Sequence, residues 1–280
     1  MKDMNWKSLY IYCHSLDAQE LLMLALESTL NKMTDKWFFI KYWRGGPHLR
    51  LRYLDSRIEI KDEIENVVTS FFEENKVHNI GRDEYYKNIS FDGEEEDEEV
   101  LPWFESGTWF YEDYIPETER YGDGKLLEIS ENIFYYSSQL ALEIFKNVRG
   151  INKRMVISSY IMYHLLKYNG GLQVSFLDSY RAYWKRMVIN EPKVNRQVMY
   201  DMFNKIESGQ IRFAFIDKVL ESIYGEFDDL RCLTSESETL YILSSQIHMM
   251  NNRISVTPEF EYLISKEMWR WINDKMENNK

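Results

Sequence analysis

The chain has 280 residues, 34 Lys and Arg against 46 Asp and Glu, a formal charge of −12, and 44% hydrophobic and 15% aromatic residues. That apolar content can fill a sizeable core and excludes long disorder; two cysteines, Cys13 and Cys232, exclude a disulfide scaffold and form no metal-ligand spacing. No run of 18 apolar residues and no basic-then-apolar start occur, so membrane insertion and a signal peptide are not expected, and the cytoplasm is the expected location.

Six of the negative charges sit in one run, Glu94 to Glu99, which reads as a solvated loop. Setting the run aside halves the charge to −6, which is still acidic. An acidic surface repels phosphate, so no direct tRNA or DNA binding is expected.

In chain order, Ser8 to His14 has the β-branched and aromatic character of a strand. Asp17 is placed as the cap of a helix running to about Met33, with Leu21, Leu22, Leu24, Leu26 and Leu30 on its apolar side. Two strands follow, Trp37 to Trp43 and His48 to Leu54, joined by Arg44-Gly45-Gly46-Pro47, a turn between antiparallel partners. Ile60, Ile64, Val67, Val68, Phe71 and Phe72 then recur at helical spacing, and Thr108 to Tyr114 is a further aromatic strand. The order β-α-β-β-α-β predicts a ferredoxin-like sheet with helices on one face.

From about Lys125 the periodicity turns helical. Helices are predicted around Leu126 to Val148, Met155 to Tyr168, Leu177 to Val188, Phe213 to Tyr224 and Leu240 to Met250. A further, final helix is capped by Thr257, with Pro258 at its first position and Phe260, Leu263, Ile264 and Trp269 on its apolar side. The fold class is thus α+β, a ferredoxin-like first half followed by a helical second half. The expected organisation is a single stand-alone domain, mixed over 1–124 and mainly helical over 125–280.

Three segments carry chemistry. On the strand His48-Leu49-Arg50-Leu51-Arg52, side chains alternate between faces, so His48, Arg50 and Arg52 share one face, with the two arginine Cα atoms about 7 Å apart. Two cations side by side ask for an anion, and guanidinium suits carboxylate; the alternative is an exposed face neutralised by Asp55 or nearby glutamates. In Tyr114-Ile115-Pro116-Glu117-Thr118-Glu119-Arg120-Tyr121-Gly122, Arg120 lies where strand meets helix, a frequent position for ligand contacts, or else pairs locally with Glu117 or Glu119. On the helix carrying Gln246 to Arg253, Ile247 and Met250 face the core while His248 shares a stripe with Tyr241, Ser244 and Asn252. His248 can move protons near neutral pH, or be a buried histidine satisfied by Tyr241 or Asn252. His14, His78 and His164 stand alone and are assigned to structure. No HExxH, Walker or GxGxxG pattern occurs. Three arginines, two histidines and no metal set suggest a carboxylate-bearing substrate and proton chemistry.

The runs Trp37-Phe38-Phe39-Ile40-Lys41-Tyr42 and Gly46-Pro47-His48-Leu49-Arg50-Leu51-Arg52 resemble the signature of the C-terminal domain of lantibiotic dehydratases, found also as free-standing thiopeptide-type bacteriocin biosynthesis proteins. Tyr114-x-Pro116-Glu117-x-x-Arg120-Tyr121-Gly122 and His248-Met249-x-x-Asn252-Arg253 resemble two further motifs of that family, in the same order. The resemblance implies elimination of glutamate from glutamylated Ser or Thr of a precursor peptide, giving dehydroalanine or dehydrobutyrine. It also allows pyridine formation, a formal [4+2] aza-cycloaddition of two dehydroalanines with release of the leader peptide. Carried over by motif, His248, Arg120 and Arg52 would be catalytic, and Arg50, His48, Asn252 and Tyr121 would bind substrate. The group removing the α-proton stays open, with His248 first and a neutral partner or water second. No cofactor and no metal are implied. The partners implied are the precursor peptide, glutamylated or dehydrated, and a separate tRNA-dependent glutamylation protein, because the chain is too short to hold that function as well.

Two departures stand out: Asp123 separates Gly122 from Gly124, and Tyr136-Ser137-Ser138 replaces an expected Asp-Ser. Elimination is the leading expectation, pyridine formation the second, and a non-catalytic peptide-binding scaffold the third. The first two require the guanidinium groups and the imidazole to converge.

Overall fold

The computed structural model describes residues 6–55, 59–87, 101–170 and 172–278, so the acidic run lies outside the described residues. The elements are β1 (Trp6–Tyr12), α1 (Leu16–Met33), β2 (Trp37–Tyr42), β3 (His48–Leu54), α2 (Ile60–Glu74), α3 (Arg82–Lys87) and β4 (Trp109–Glu112). There follow α4 (Thr118–Tyr121), α5 (Lys125–Asn147), α6 (Ile151–Tyr168), α7 (Val174–Lys185), α8 (Arg196–Glu207), α9 (Ala214–Leu233), α10 (Glu236–Arg253) and α11 (Pro258–Asn278). The class is α+β, as the sequence pattern predicts. The chain forms two compact units, one of residues 1–117 with 137–147 and one of 118–136 with 148–280.

In the first unit the strands pair in the order β2-β3-β1-β4, antiparallel throughout, which is the ferredoxin-like arrangement. Alternation sorts the side chains. Leu9, Ile11, Phe39, Leu49, Leu51 and Tyr53 are buried, and their face is the one α1 covers. There Trp37 Nε1 donates to Asn31 at 3.1 Å and Lys41 pairs with Glu20 at 3.3 Å. β2 is an edge strand with an outward N–H to satisfy. Ser138 Oγ accepts from Phe39 N at 3.2 Å, and Phe145 packs on Phe39. The Ser137-Ser138 departure thus has a structural use at the second serine. α1 starts two residues earlier than Asp17 would place it. Ser15 is the cap, accepting from Ala18 N at 3.3 Å, and Asp17 sits in the first turn, where its charge favours the helix dipole.

In the second unit α6 is buried on nearly every side, as a helix at the centre of a bundle must be. α11 packs along α7, α8 and α6, while α10 packs on α6, α9 and α4. Ser235 and Glu238 close a capping box at the start of α10. Pro258 opens α11 as predicted. The apolar side of α11 is shifted from the predicted one: Leu263, Ile264, Met268 and Trp271 are buried, and Trp269 instead lies under the Arg181 guanidinium, 4.2 Å from its ring. α8, a helix beyond those predicted, is capped by Asn195 and buries Met199, Met202, Phe203 and Ile206.

Candidate functional site

The register of the sheet puts His48, Arg50 and Arg52 on the face opposite α1. Their cross-strand neighbours are Tyr12, Tyr10 and Ser8 on β1 and Tyr42, Ile40 and Phe38 on β2. The face is therefore aromatic around a basic centre. The Arg50 guanidinium lies between the rings of Tyr42 and Tyr10, 3.5 and 4.5 Å from their centroids. That of Arg52 lies between Tyr114 and Phe38, at 5.1 and 5.5 Å. Asp55, a neutralising group the sequence allowed, pairs with Lys7 at 3.7 Å.

His48 is fully buried among Tyr10, Tyr12 and Tyr42, and both its nitrogens are committed inside the protein. Nδ1 donates to the Gly46 carbonyl at 2.8 Å, and Nε2 accepts from Arg50 Nε at 3.2 Å. Burial, with the nearby charges of Arg50 and Arg52, pushes its pKa down to about 3. A neutral imidazole is the form that can donate at one nitrogen and accept at the other. The consequence for Arg50 is orientation: with Nε held and the plane stacked, its two Nη groups form the remaining donor edge.

Arg52 has 8% exposure, and its Nε is buried with no hydrogen-bond partner. Burial lowers its pKa; Tyr114, Tyr10 and Glu117 oppose the shift and Arg50 adds to it. Arginine nevertheless remains a cation. A buried guanidinium with an unmet donor costs the fold free energy, and an anion is the group that would repay it.

The turn between β2 and β3 supports this face. Gly46 has φ +107, and a Cβ there would stand 2.9 Å from His14 Nε2 and 3.3 Å from the Phe104 carbonyl. Only glycine fits, and its carbonyl is the group that holds His48. His14 serves structure as expected, accepting from Ile80 N at 3.1 Å and donating to the Phe104 carbonyl at 2.9 Å.

The other predicted residues lie in the second unit. Arg120 and Tyr121 are on α4, which packs on α10, the helix of His248 and Asn252. Tyr121 is buried edge-on against Phe134, and the Phe134 ring also receives the buried Arg253 guanidinium at 5.1 Å. Arg253 donates to the Met249 carbonyl at 2.8 Å, closing the last turn of α10. The motif ending in Asn252-Arg253 thus ties α10 into the core and fixes where His248 sits.

His248 has 9% exposure. Its Nδ1 lies 3.1 Å from Glu261 Oε2 on α11, and its ring stacks on Trp184 of α7, centroids 4.3 Å apart at 24°. Tyr180, one turn before Trp184, donates to the other Glu261 oxygen, Oε1. Glu261 is fully buried. Burial and the adjacent Glu261 raise the Tyr180 pKa well above its ordinary value, so Tyr180 keeps its proton and remains a donor. Tyr241 is 56% exposed, so the sequence alternative in which it satisfies His248 does not describe this site. Sequence reasoning missed Glu261, Tyr180 and Trp184 altogether. It also missed the rings around the arginines, although Tyr10, Tyr42 and Phe38 follow from the same alternation that placed Arg50 and Arg52.

Among the described residues no cluster of three or more His, Cys, Asp or Glu could hold a metal, and no helix is long and apolar enough to cross a membrane.

Comparison with known proteins agrees with this architecture. Among solved structures, the chain is similar to TbtD, a pyridine synthase from thiomuracin biosynthesis, with TM-score 0.70 at 15% identity, covering 96% of this chain and 98% of TbtD. The tRNA-dependent lantibiotic dehydratase MibB from Microbispora sp. 107891 matches with TM-score 0.58 at 16% identity, over 100% of this chain and 29% of MibB. In sequence, the epidermin biosynthesis protein EpiB of Staphylococcus epidermidis is 24% identical over 87% of this chain and 23% of EpiB. The chain thus spans about a quarter of that curated relative's length. The family described as lantibiotic biosynthesis dehydratase, C-terminal, matches residues 6–272, from the first strand to the last helix, and the chain belongs to that family.

Proposed function

We propose that the chain is a lyase that removes glutamate from glutamylated Ser or Thr of a ribosomally made precursor peptide, leaving dehydroalanine or dehydrobutyrine. The observation that carries this reading is Arg52, a buried cation held between two aromatic rings with an unmet donor, beside an Arg50 whose donor edge is fixed by His48. Such a pair suits the carboxylates of a glutamyl group.

The α-proton of an acylated serine is a weak acid, so its removal needs a base and a stabiliser for the developing enolate. His248, with Nδ1 engaged by Glu261, is assigned the proton transfer through Nε2. Arg120, on the helix packed against that of His248, is assigned the negative charge that develops at the neighbouring carbonyl. As the Cα–H bond breaks, its electron pair forms the Cα–Cβ double bond. The Cβ–O bond breaks in turn, and glutamate departs as a carboxylate with the electron pair of that bond. The imidazolium then returns its proton to solvent. The proposed partners are the glutamylated peptide and a separate tRNA-dependent protein that glutamylates it.

A second reading is pyridine formation between two dehydroalanines. Its support is the likeness in fold to TbtD, described as a pyridine synthase.

Mass spectrometry with two substrates separates the readings. A synthetic peptide carrying one O-glutamyl serine should lose glutamate and become the dehydroalanine peptide. An ester that stays intact, while a thiazole peptide with two dehydroalanines gains a pyridine, selects the second reading. Product formation in the reconstituted pathway that survives both His248→Ala and Arg120→Ala selects a non-catalytic scaffold.

A further inference from the structure

The residues that set the state of His248 lie outside every motif that the sequence offered. His248 is on α10, Glu261 on α11 and Tyr180 on α7, and the three form one line of hydrogen bonds. A carboxylate that takes the Tyr180 hydroxyl at Oε1 has only lone pairs to offer Nδ1 at Oε2, so Nδ1 must carry the hydrogen. In a neutral imidazole the acceptor is then Nε2. Stacking on Trp184 removes rotation about the ring's own axis as a way out of this arrangement. Glu261 is fully buried, so water does not compete for its oxygens. A buried carboxylate is expensive to keep, and its two hydrogen bonds offset that cost only while both partners are present.

We infer that Glu261, fixed by Tyr180, is the positioning residue that holds His248 in the Nδ1–H form and aims Nε2 at the transferred proton. This rests on the assignment of proton transfer to His248 and adds to it: the family motif supplies the imidazole, and a carboxylate on another helix supplies its tautomer. The logic is that of any carboxylate–histidine pair in which the acid orients and does not itself react.

The test uses the full chain with 15N-labelled histidine and, as substrate, the synthetic O-glutamyl-serine peptide. The 15N shifts of His248, assigned by their loss in His248→Gln, should show a protonated Nδ1 and an acceptor Nε2. Glu261→Gln should lose that signature and lower kcat about 100-fold or more with KM little changed, the pattern of a misoriented base. Should Glu261→Gln fail to fold, Tyr180→Phe serves, because it keeps the carboxylate and the ring; it should lower kcat about 10-fold at unchanged KM. An unprotonated Nδ1 in the wild type overturns the inference. So does a Glu261→Gln or Tyr180→Phe variant with wild-type shifts and wild-type kcat. If His248→Ala leaves glutamate loss intact, the proton-transfer assignment itself fails; if His248→Ala is dead and Glu261→Gln is normal, only the inference fails.

Discussion

Replacing Arg52 with methionine should abolish function without unfolding the protein, and should leave the fold level or slightly more stable. Arg52 is 8% exposed with an unmet Nε, and a buried charged donor in that state costs about 3 kcal/mol. Its two aromatic contacts, at 5.1 and 5.5 Å, return about 1–2 kcal/mol together. Methionine fills a comparable volume and carries neither term, so Arg52→Met should gain about 1–2 kcal/mol, seen as a rise of about 2–4 °C in the thermal midpoint. The same scan with added L-glutamate separates an anion site from a purely structural arginine. A ligand bound only by the folded state stabilises it by about 2.7 kcal/mol at a hundred times its Kd. The wild type should therefore shift upward with glutamate, and Arg52→Met should not. A loss of about 3 kcal/mol or more in Arg52→Met would refute the reasoning, because that is the signature of removing one partner from a satisfied buried pair. An undiminished glutamate shift in the variant would refute it independently.

Three further outcomes follow from the same geometry. His48 has its pKa depressed from 6.5 to about 3, so between those values the unfolded chain binds the proton that the native one refuses. Its contribution to stability is complete above pH 6.5 and falls as pH drops toward 3, by about 5 kcal/mol at most; His48→Gln should flatten that part of the urea-unfolding profile against pH. Gly46→Ala should cost about 2–4 kcal/mol, since φ +107 strains any side chain and the new Cβ meets His14 Nε2 at 2.9 Å; equilibrium unfolding checks it. Ser138→Ala should cost about 1 kcal/mol by orphaning Phe39 N at the edge strand, with no change in glutamate loss from the peptide.

Much of the first unit is legible in the sequence because strand alternation is a local rule. β3 runs from His48 to Leu54 in both readings, and the shared face of His48, Arg50 and Arg52 follows from its period of two. The start of α1 was misplaced because Ser15 and Asp17 are both good caps, and only the backbone tells which one turns extended. α8 was legible and overlooked: Asn195 followed by Met199, Met202, Phe203 and Ile206 is a capped helical stripe. The His48 result is different in kind. Sequence placed it beside Arg50, but only the structure shows both nitrogens taken, which turns a substrate ligand of the motif reading into a support for Arg50. Glu261 and Tyr180 were not legible at all. They stand 13 residues after and 68 before His248, and no local period links three helices that meet only through tertiary packing.

If the chain is the proposed lyase, the arginines of β3 hold the glutamyl carboxylate. A crystal structure with a peptide whose glutamyl ester is replaced by an amide, which cannot eliminate, tests it most directly. A glutamyl carboxylate should lie within hydrogen-bond distance of Arg52, with Nε now satisfied, and take a second contact from the Nη edge of Arg50. A bound glutamyl group whose carboxylates lie elsewhere, with Arg52 still unmet, would contradict it.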